Sequence, residues 1–440
     1  MNKLIVIVII TLCCPLVLAA QDQLFSLEDC INYALENSTD INRAQNDVVI
    51  QNAYLEQSKA ARLPNLQLGI NQQLNSTGSY NTTNSEWNRN SNNSINASLS
   101  SQVTLYNGLK LKNTILQDQI NLEASELNIQ TEQELLSLNI LSFYIDVLLA
   151  KDNLKNSQLQ LEATQEQLKY AEARKEAGVI SLSDLLNIKS QLAGDKTTFI
   201  EAESNLRIAL VYLMQLMNMP ITNSFDIQQA NIDKIINLNI ETNPEFVYEV
   251  ALGIQPYIQT ARLNVESTKT GISIAKSGFL PSLTLNGGLS TGYGSNINSV
   301  DFGEQFSNSV NPYVGLSLSI PIYQRKQTKT QVKIAQIQTN NSELELTDMQ
   351  NSLRKYIEQA CTDAQTAQSN YMALLEQLNA EKESYQINNE MFTQGMINSV
   401  DFILSKNNLI IAENKFTQAK YNLIHQNKIV EYYLGNSILF

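Results

Sequence analysis

Residues 177 to 184 read Ala177-Gly178-Val179-Ile180-Ser181-Leu182-Ser183-Asp184. Residues 394 to 401 read Gln394-Gly395-Met396-Ile397-Asn398-Ser399-Val400-Asp401. Glycine past a helix end supplies the left-handed residue that terminates it. Ser181 or Ser183, and Asn398 or Ser399, can cap a helix that follows. Each stretch therefore reads as a tight turn between two antiparallel helices. From Leu109 to Ala177, and again from Gln324 to Gln394, there is neither Gly nor Pro. A continuous helix over about 70 residues would reach roughly 100 Å, against a globular average of about 11–12 residues. Long capless periodicity points to an extended helical assembly.

The two turns lie 217 residues apart, and this offset holds along the whole chain without a gap. Ala34, Ile41, Ala44 and Val48 match Ala251, Ile258, Ala261 and Val265. Lys59, Leu63-Pro64, Leu66 and Leu68 match Lys276, Leu280-Pro281, Leu283 and Leu285. Leu99, Tyr106, Asp184, Lys189 and Leu192 match Leu316, Tyr323, Asp401, Lys406 and Leu409. One multi-element unit has been built twice. Its bounds are residues 21–224 and 225–440, each with two strands, a long helix and a return helix. The strands are expected at about 64–74, 94–106, 281–292 and 312–323. The long helices are expected at about 109–177 and 324–394, and the return helices at about 184–217 and 401–433.

Within the first long window Ile115, Leu122, Ile129, Leu136 and Phe143 recur every seven residues, as do Leu154, Leu161 and Leu168. A strict seven is a supercoiling seam. The remaining faces are Gln, Asn, Glu, Ser and Lys, as water along one side requires. Ahead of each window the period changes to two. Ile95, Ala97, Leu99, Ser101, Val103 and Leu105 alternate with small polar residues, as do Val314, Leu316, Leu318, Ile320 and Ile322. Partner strands begin at Leu66 and Leu283. Asn75 to Asn93 and Gly292 to Asn308 read as long polar loops. Tyr106 and Tyr323 stand at the strand ends nearest the helices. Alternating segments of about 9–11 residues with terminal aromatics describe outer-membrane barrel strands. Four strands cannot close a barrel, and open edges cannot sit in hydrocarbon, so the chain must share one barrel among copies.

The first twenty residues read as a secretory leader: Lys3, an apolar run from Leu4 to Leu18, then Ala19-Ala20-Gln21. Cys30 and Cys361 are the cysteines that remain, and they read as small core residues although an oxidising compartment would permit a pair. Net charge is −13, or −14 without Lys3, which argues against nucleic acid. One histidine, His425, and no Cys/His cluster leave no metal site. No nucleophile–His–carboxylate set or phosphate loop is present, so neither enzymatic activity nor a cofactor is expected.

These residues resemble the TolC-like outer-membrane efflux protein family. The carriers are Ser26-Leu27-Glu28-Asp29, Ala34-Leu35-Glu36-Asn37, Leu63-Pro64-Asn65-Leu66, Leu280-Pro281-Ser282-Leu283, Leu318-Ser319-Ile320-Pro321-Ile322-Tyr323 and the two turns. The resemblance implies a homotrimer with a twelve-stranded barrel in outer-membrane lipid and a twelve-helix periplasmic tunnel. It implies a periplasmic adaptor and an inner-membrane RND or ABC transporter as partners, with substrates leaving passively. It places Asp184 and Asp401 near a constriction and Gly178-Val179-Ile180 and Gly395-Met396-Ile397 at the docking tip. Phe392 and Ile397 stand where relatives with a hydrogen-bonded gate carry Tyr and Arg, and Leu404 where a second acid can occur. The aspartates also read as plain helix-end charges. The competing architectures are a barrel-anchored structural or adhesive coiled coil and a periplasmic adaptor.

Overall fold

The computed structural model describes residues 24–229, 236–238, 240–295 and 300–439. The expected leader lies outside them. The helices are α1 (Leu27–Asn37), α2 (Thr39–Ala60), α3 (Lys110–Glu176), α4 (Leu182–Leu216), α5 (Pro244–Ile254), α6 (Pro256–Lys276), α7 (Phe302–Asn308), α8 (Gln327–Thr393) and α9 (Ser399–Tyr433). The strands are β1 (Gln67–Asn81), β2 (Glu86–Asn107), β3 (Ser282–Gly294) and β4 (Asn311–Ser319). Both long helices run 67 residues and both return helices 35. The chain divides into two units, Met1–Thr39 with Gln133–Val247 and Ile357–Phe440, and Asp40–Glu132 with Tyr248–Tyr356.

The second unit carries one antiparallel sheet in the order β1-β2-β3-β4. Leu68 stands opposite Leu99, Leu99 opposite Leu289, Val103 opposite Leu285, and Leu285 opposite Leu316. Directly opposed residues share a face, so these form one continuous apolar surface. The other face carries Ser98, Ser100, Gln102 and Thr104 opposite Ser290, Gly288, Asn286 and Thr284. The register shifts between Thr104 and Tyr106. Leu105, expected in the apolar row, is the extra residue of that bulge. The shift returns Tyr106 to the apolar face opposite Leu283. From Leu283 to Tyr293 is ten steps, about 34 Å along the strand. Tilted by about 40°, that is roughly the 25 Å height of an outer-membrane apolar band.

The stretch from Asn75 to Asn93 is mostly strand rather than loop. Its ladder continues from Asn75 opposite Asn92 to Asn81 opposite Glu86, closed by the Tyr80–Trp87 ring pair at 5.5 Å. Hydrophobic alternation marks only the part of a strand that meets an apolar environment, whereas backbone pairing continues beyond it. Within Gly292 to Asn308, β3 runs on to Gly294 and α7 follows, its Glu304 amide donating to the Asp301 carboxylate at 2.9 Å. β4 ends at Ser319, short of the expected 323, because Pro321 has no N–H for the ladder. Tyr323 lies past the strand and is exposed.

Two left-handed residues join each last strand to its long helix: Gly108 and Leu109 in the first repeat, Arg325 and Lys326 in the second. The repeat makes these positions equivalent. At Gly108 a Cβ would lie 2.7 Å from that of Leu280, so only glycine fits there. In the same unit the Gln117 amide donates to Ser267 O at 2.9 Å, and Lys269 pairs with Glu343 at 3.0 Å.

In the first unit the apolar stretch of α3 from Ile140 to Leu148 packs against Leu27, Cys30, Ile31 and Ala34 of α1, Leu213 and Met214 of α4, and Ile424 of α9. The Tyr144 hydroxyl donates to Gln228 O at 2.8 Å, and Lys151 Nζ to Ile227 O at 2.7 Å, strapping the inter-repeat segment onto α3. Cys30 and Cys361 are buried free thiols, as core residues would be.

Arginine on the apolar sheet face should block assembly, and arginine on the other face should not. Leu99→Arg, at mid-band opposite Leu289, is expected to cost about 2–4 kcal/mol and Leu316→Arg, opposite Leu285 and nearer the rim, less, while Ser100→Arg and Ser317→Arg stay mild. Heat-resistant oligomer on a gel reads the difference, and equal behaviour of the two sets would overturn the facing.

Candidate functional site: the helix turns and the buried lysine above them

Both long helices end on a left-handed glycine, Gly178 at φ 73° and Gly395 at φ 76°. The Gly178 amide bonds Lys175 O at 3.0 Å and the Val179 amide bonds Arg174 O at 2.9 Å; Gly395 and Met396 repeat the pattern on Phe392 O and Met391 O. This is the paired C-terminal motif that satisfies the last carbonyls of a helix. Val179 and Met396 are exposed beyond it, whereas Ile180 packs on the cluster of Ala171, Leu185 and Ile188.

The return helices take Ser181 and Asn398 as caps. The Ser181 hydroxyl accepts from the Asp184 amide at 3.0 Å, and the Asp184 carboxylate takes the Ser181 amide at 3.1 Å. The Asn398 carbonyl accepts from the Val400 and Asp401 amides at 2.9 Å, and its amide donates to Asp401 at 2.9 Å. Asp184 also receives the Ser399 hydroxyl at 2.5 Å, so it ties the first turn to the second. Hydrogen bonds from Ser181, then from Ser399, hold its carboxyl below the usual range. Asp401 is exposed and makes no such link.

Phe392 lies inside the helix packing. Its ring stacks on Phe402 at 4.6 Å, the Arg174 guanidinium sits 5.6 Å from its centroid, and Arg174 Nη1 donates to its carbonyl at 3.2 Å. Ile397 is partly covered and Leu404 exposed.

Five residues beyond Asp401, Lys406 is 3 % exposed. Its ammonium donates to Thr164 Oγ1 at 2.6 Å and Gln167 Oε1 at 3.0 Å, with Asp195 at 4.0 Å. Asp195 also accepts from Thr164 Oγ1 and from Gln191 at 2.8 Å. The lysine belongs to the second repeat and its partners to α3 and α4 of the first. An ammonium taken out of water needs such partners. Burial lowers its pKa from 10.5 to about 8, and Asp195 opposes the drop. Periodicity does not find this network, since Lys406 occurs in the sequence only as the repeat match of Lys189. Lys189 itself is half-exposed and pairs with Glu172 at 3.3 Å. The difference lies in the partners: position 412, equivalent to Asp195, is a buried alanine.

Among the described residues no three His, Cys, Asp or Glu side chains gather as a metal site.

Comparison with known proteins follows the same two-fold division. The family described as outer membrane efflux protein matches residues 30–219 and 247–436, two spans offset by the repeat length. Outer membrane protein TolC of Escherichia coli K12 is 26% identical over 388 residues, covering 86% of this chain and 76% of that protein. Among solved structures, the Campylobacter jejuni CmeC outer membrane channel superposes with a TM-score of 0.76 at 18% identity, covering 93% of this chain and 85% of the other. The Neisseria gonorrhoeae MtrE outer membrane channel in its open state gives 0.74 at 18% identity, covering 94% and 89%.

The Lys406 pocket should make stability depend on pH. Below about pH 8 the lysine is protonated whether folded or unfolded. Between about 8 and 10.5 the unfolded chain holds a proton that the folded chain has released. Stability therefore rises with pH across that window, by on the order of 3 kcal/mol. Lys406→Met should remove this rise in helix melting followed by circular dichroism. An identical pH profile in the variant would show that the lysine is not buried in solution.

Proposed function

The chain belongs to the outer membrane efflux protein family, and we propose that three copies of it form the exit duct of a tripartite efflux or type I secretion machine. The observation that carries this reading is the sheet. Among the described residues β1 and β4 each leave one edge that no strand of the chain pairs, beside an apolar face that suits lipid. Three such sheets give twelve strands, joined edge to edge, and no backbone group is left bare in hydrocarbon. The protein resides in the outer membrane with its helical tunnel in the periplasm. Family membership and the duplicated strand pairs both disfavour an adhesive stalk.

In this reading a periplasmic adaptor meets the turns at Gly178-Val179-Ile180 and Gly395-Met396-Ile397, and an RND or ABC transporter supplies the substrate. The exposure of Val179 and Met396 supports the docking assignment. Asp184 and Asp401 contribute six carboxylates near one constriction, with Phe392 and Ile397 as its apolar lining. Of these, Asp401 suits a pore-facing role better than Asp184, whose carboxylate is held by Ser181 and Ser399. Phe392 is the member of that lining whose ring is held in place by stacking on Phe402. Tyr106 and Tyr323 mark the periplasmic rim of the lipid band. Movement of substrate is passive, and the energy comes from the transporter.

Two measurements test this. The chain without residues 1–20 should give a native mass of three copies in detergent, and a stable monomer would overturn the architecture. Across a planar bilayer with a salt gradient, Asp184→Asn with Asp401→Asn should lower the cation preference, since a ring of acids favours cations. Asparagine keeps much of the capping ability. An unchanged reversal potential in an intact trimer would leave both aspartates as helix-end residues.

A further inference from the structure

The repeat that doubles each chain also relates one chain to the next, if the trimer of the preceding reading closes. Six quasi-equivalent helix pairs then surround the tunnel. The rotation that carries the first repeat onto the second carries the second onto the first repeat of the next copy. Every contact within the chain from second repeat to first thus has a counterpart between chains. Its residues lie 217 positions later for the first-repeat partner and 217 earlier for the second-repeat partner.

Applied to the buried lysine, Lys406 becomes Lys189, Thr164 becomes Glu381, and Asp195 becomes Ala412. We infer that Lys189 of one copy reaches Glu381 of the next, and that this pair and two leucines form the seam between copies. The acid that faces the lysine is placed differently at the two seams. Within the chain the acid sits on the return helix, as Asp195, and the long helix offers Thr164. Between chains the return helix offers alanine and the long helix offers Glu381. Each lysine meets a carboxylate across its seam, and Lys189 keeps Glu172 beside it in its own copy. Within a single copy, among the described residues, Lys189 pairs with the half-exposed Glu172, a pair that salt screens readily.

A second contact, carried over by the same rotation, points the same way. Within the chain the Asn187 amide meets the Ser399 hydroxyl at 3.4 Å. The rotation turns this polar pair into Leu404 of one copy and Leu182 of the next. Both leucines stand in water in the single chain, 59 % and 57 % exposed. Pairing them across the seam removes two large apolar side chains from solvent. The occupant of this surface is therefore a second copy of the chain, joined near the turns by an apolar pair and higher up by an ion pair.

The test is crosslinking in the detergent-solubilised full assembly. Leu182→Cys with Leu404→Cys, oxidised by diamide, should give covalent dimers and trimers on a non-reducing gel after full denaturation in urea and detergent, while either single variant then runs as monomer. Cys30 and Cys361 are buried and should not contribute. Lys189→Glu and Glu381→Lys should each reduce the trimer fraction, and the double charge reversal should restore it. A trimer by native mass that yields no interchain crosslink, or a double reversal no better than the single variants, would overturn the seam while leaving the channel reading intact. A wild-type monomer would overturn that reading and the seam with it.

Discussion

A backbone amide facing hydrocarbon has no water to bond, and an unmet group there costs several kcal/mol. That constraint shapes the rest of this protein. The four-stranded sheet satisfies its interior ladder within one chain but, among the described residues, leaves the outer sides of β1 and β4 without strand partners. Closure has to come from other copies. Once copies are required, the duplicated sequence becomes useful, because two similar halves in each of three chains approximate six similar staves.

The helical part answers a different demand. Its side chains alternate between an apolar seam and a wet surface, so stability is drawn from a thin layer of contacts along α3, α4, α8 and α9. The dense apolar cluster around Ile140, Leu141, Tyr144 and Leu213 anchors that layer, and the inter-repeat segment is strapped across it by Tyr144 and Lys151. Toward the turns polar contacts join apolar ones: Asp184 to Ser399, Arg174 to the Phe392 carbonyl and Lys406 to Thr164 lie beside the Phe392–Phe402 stack and the cluster around Ile180. A polar seam can be rehydrated when helices part, whereas an apolar one loses its burial outright.

Equivalence within the repeat is structural rather than chemical. The paired left-handed residues at 108–109 and 325–326, the glycines at 178 and 395, and the caps at 181 and 398 occupy matching places. At Lys189 and Lys406 the backbone matches and the environments do not. One lysine is half-exposed and the other buried. The two halves meet different side chains within the chain, Asp195 at one place and Ala412 at the other, even where the fold keeps them in register.

The sequence by itself determined what depends on local pattern. Breaker-free windows marked both long helices, the glycine turns marked their ends, and period-two alternation marked the membrane-facing part of each strand. It could not mark the outer half of the first hairpin, because Asn, Ser and Thr pair through their backbones with no hydrophobic signal. It did not show the bulge at Leu105, which shifts phase through register rather than composition. Nor could it distinguish Lys406 from Lys189, or choose Ser181 and Asn398 from the neighbouring caps. Those outcomes belong to the tertiary structure alone. Burial and hydrogen bonding depend on which distant helix arrives at a position, and Thr164, Asp195 and Lys406 meet only when α3, α4 and α9 pack.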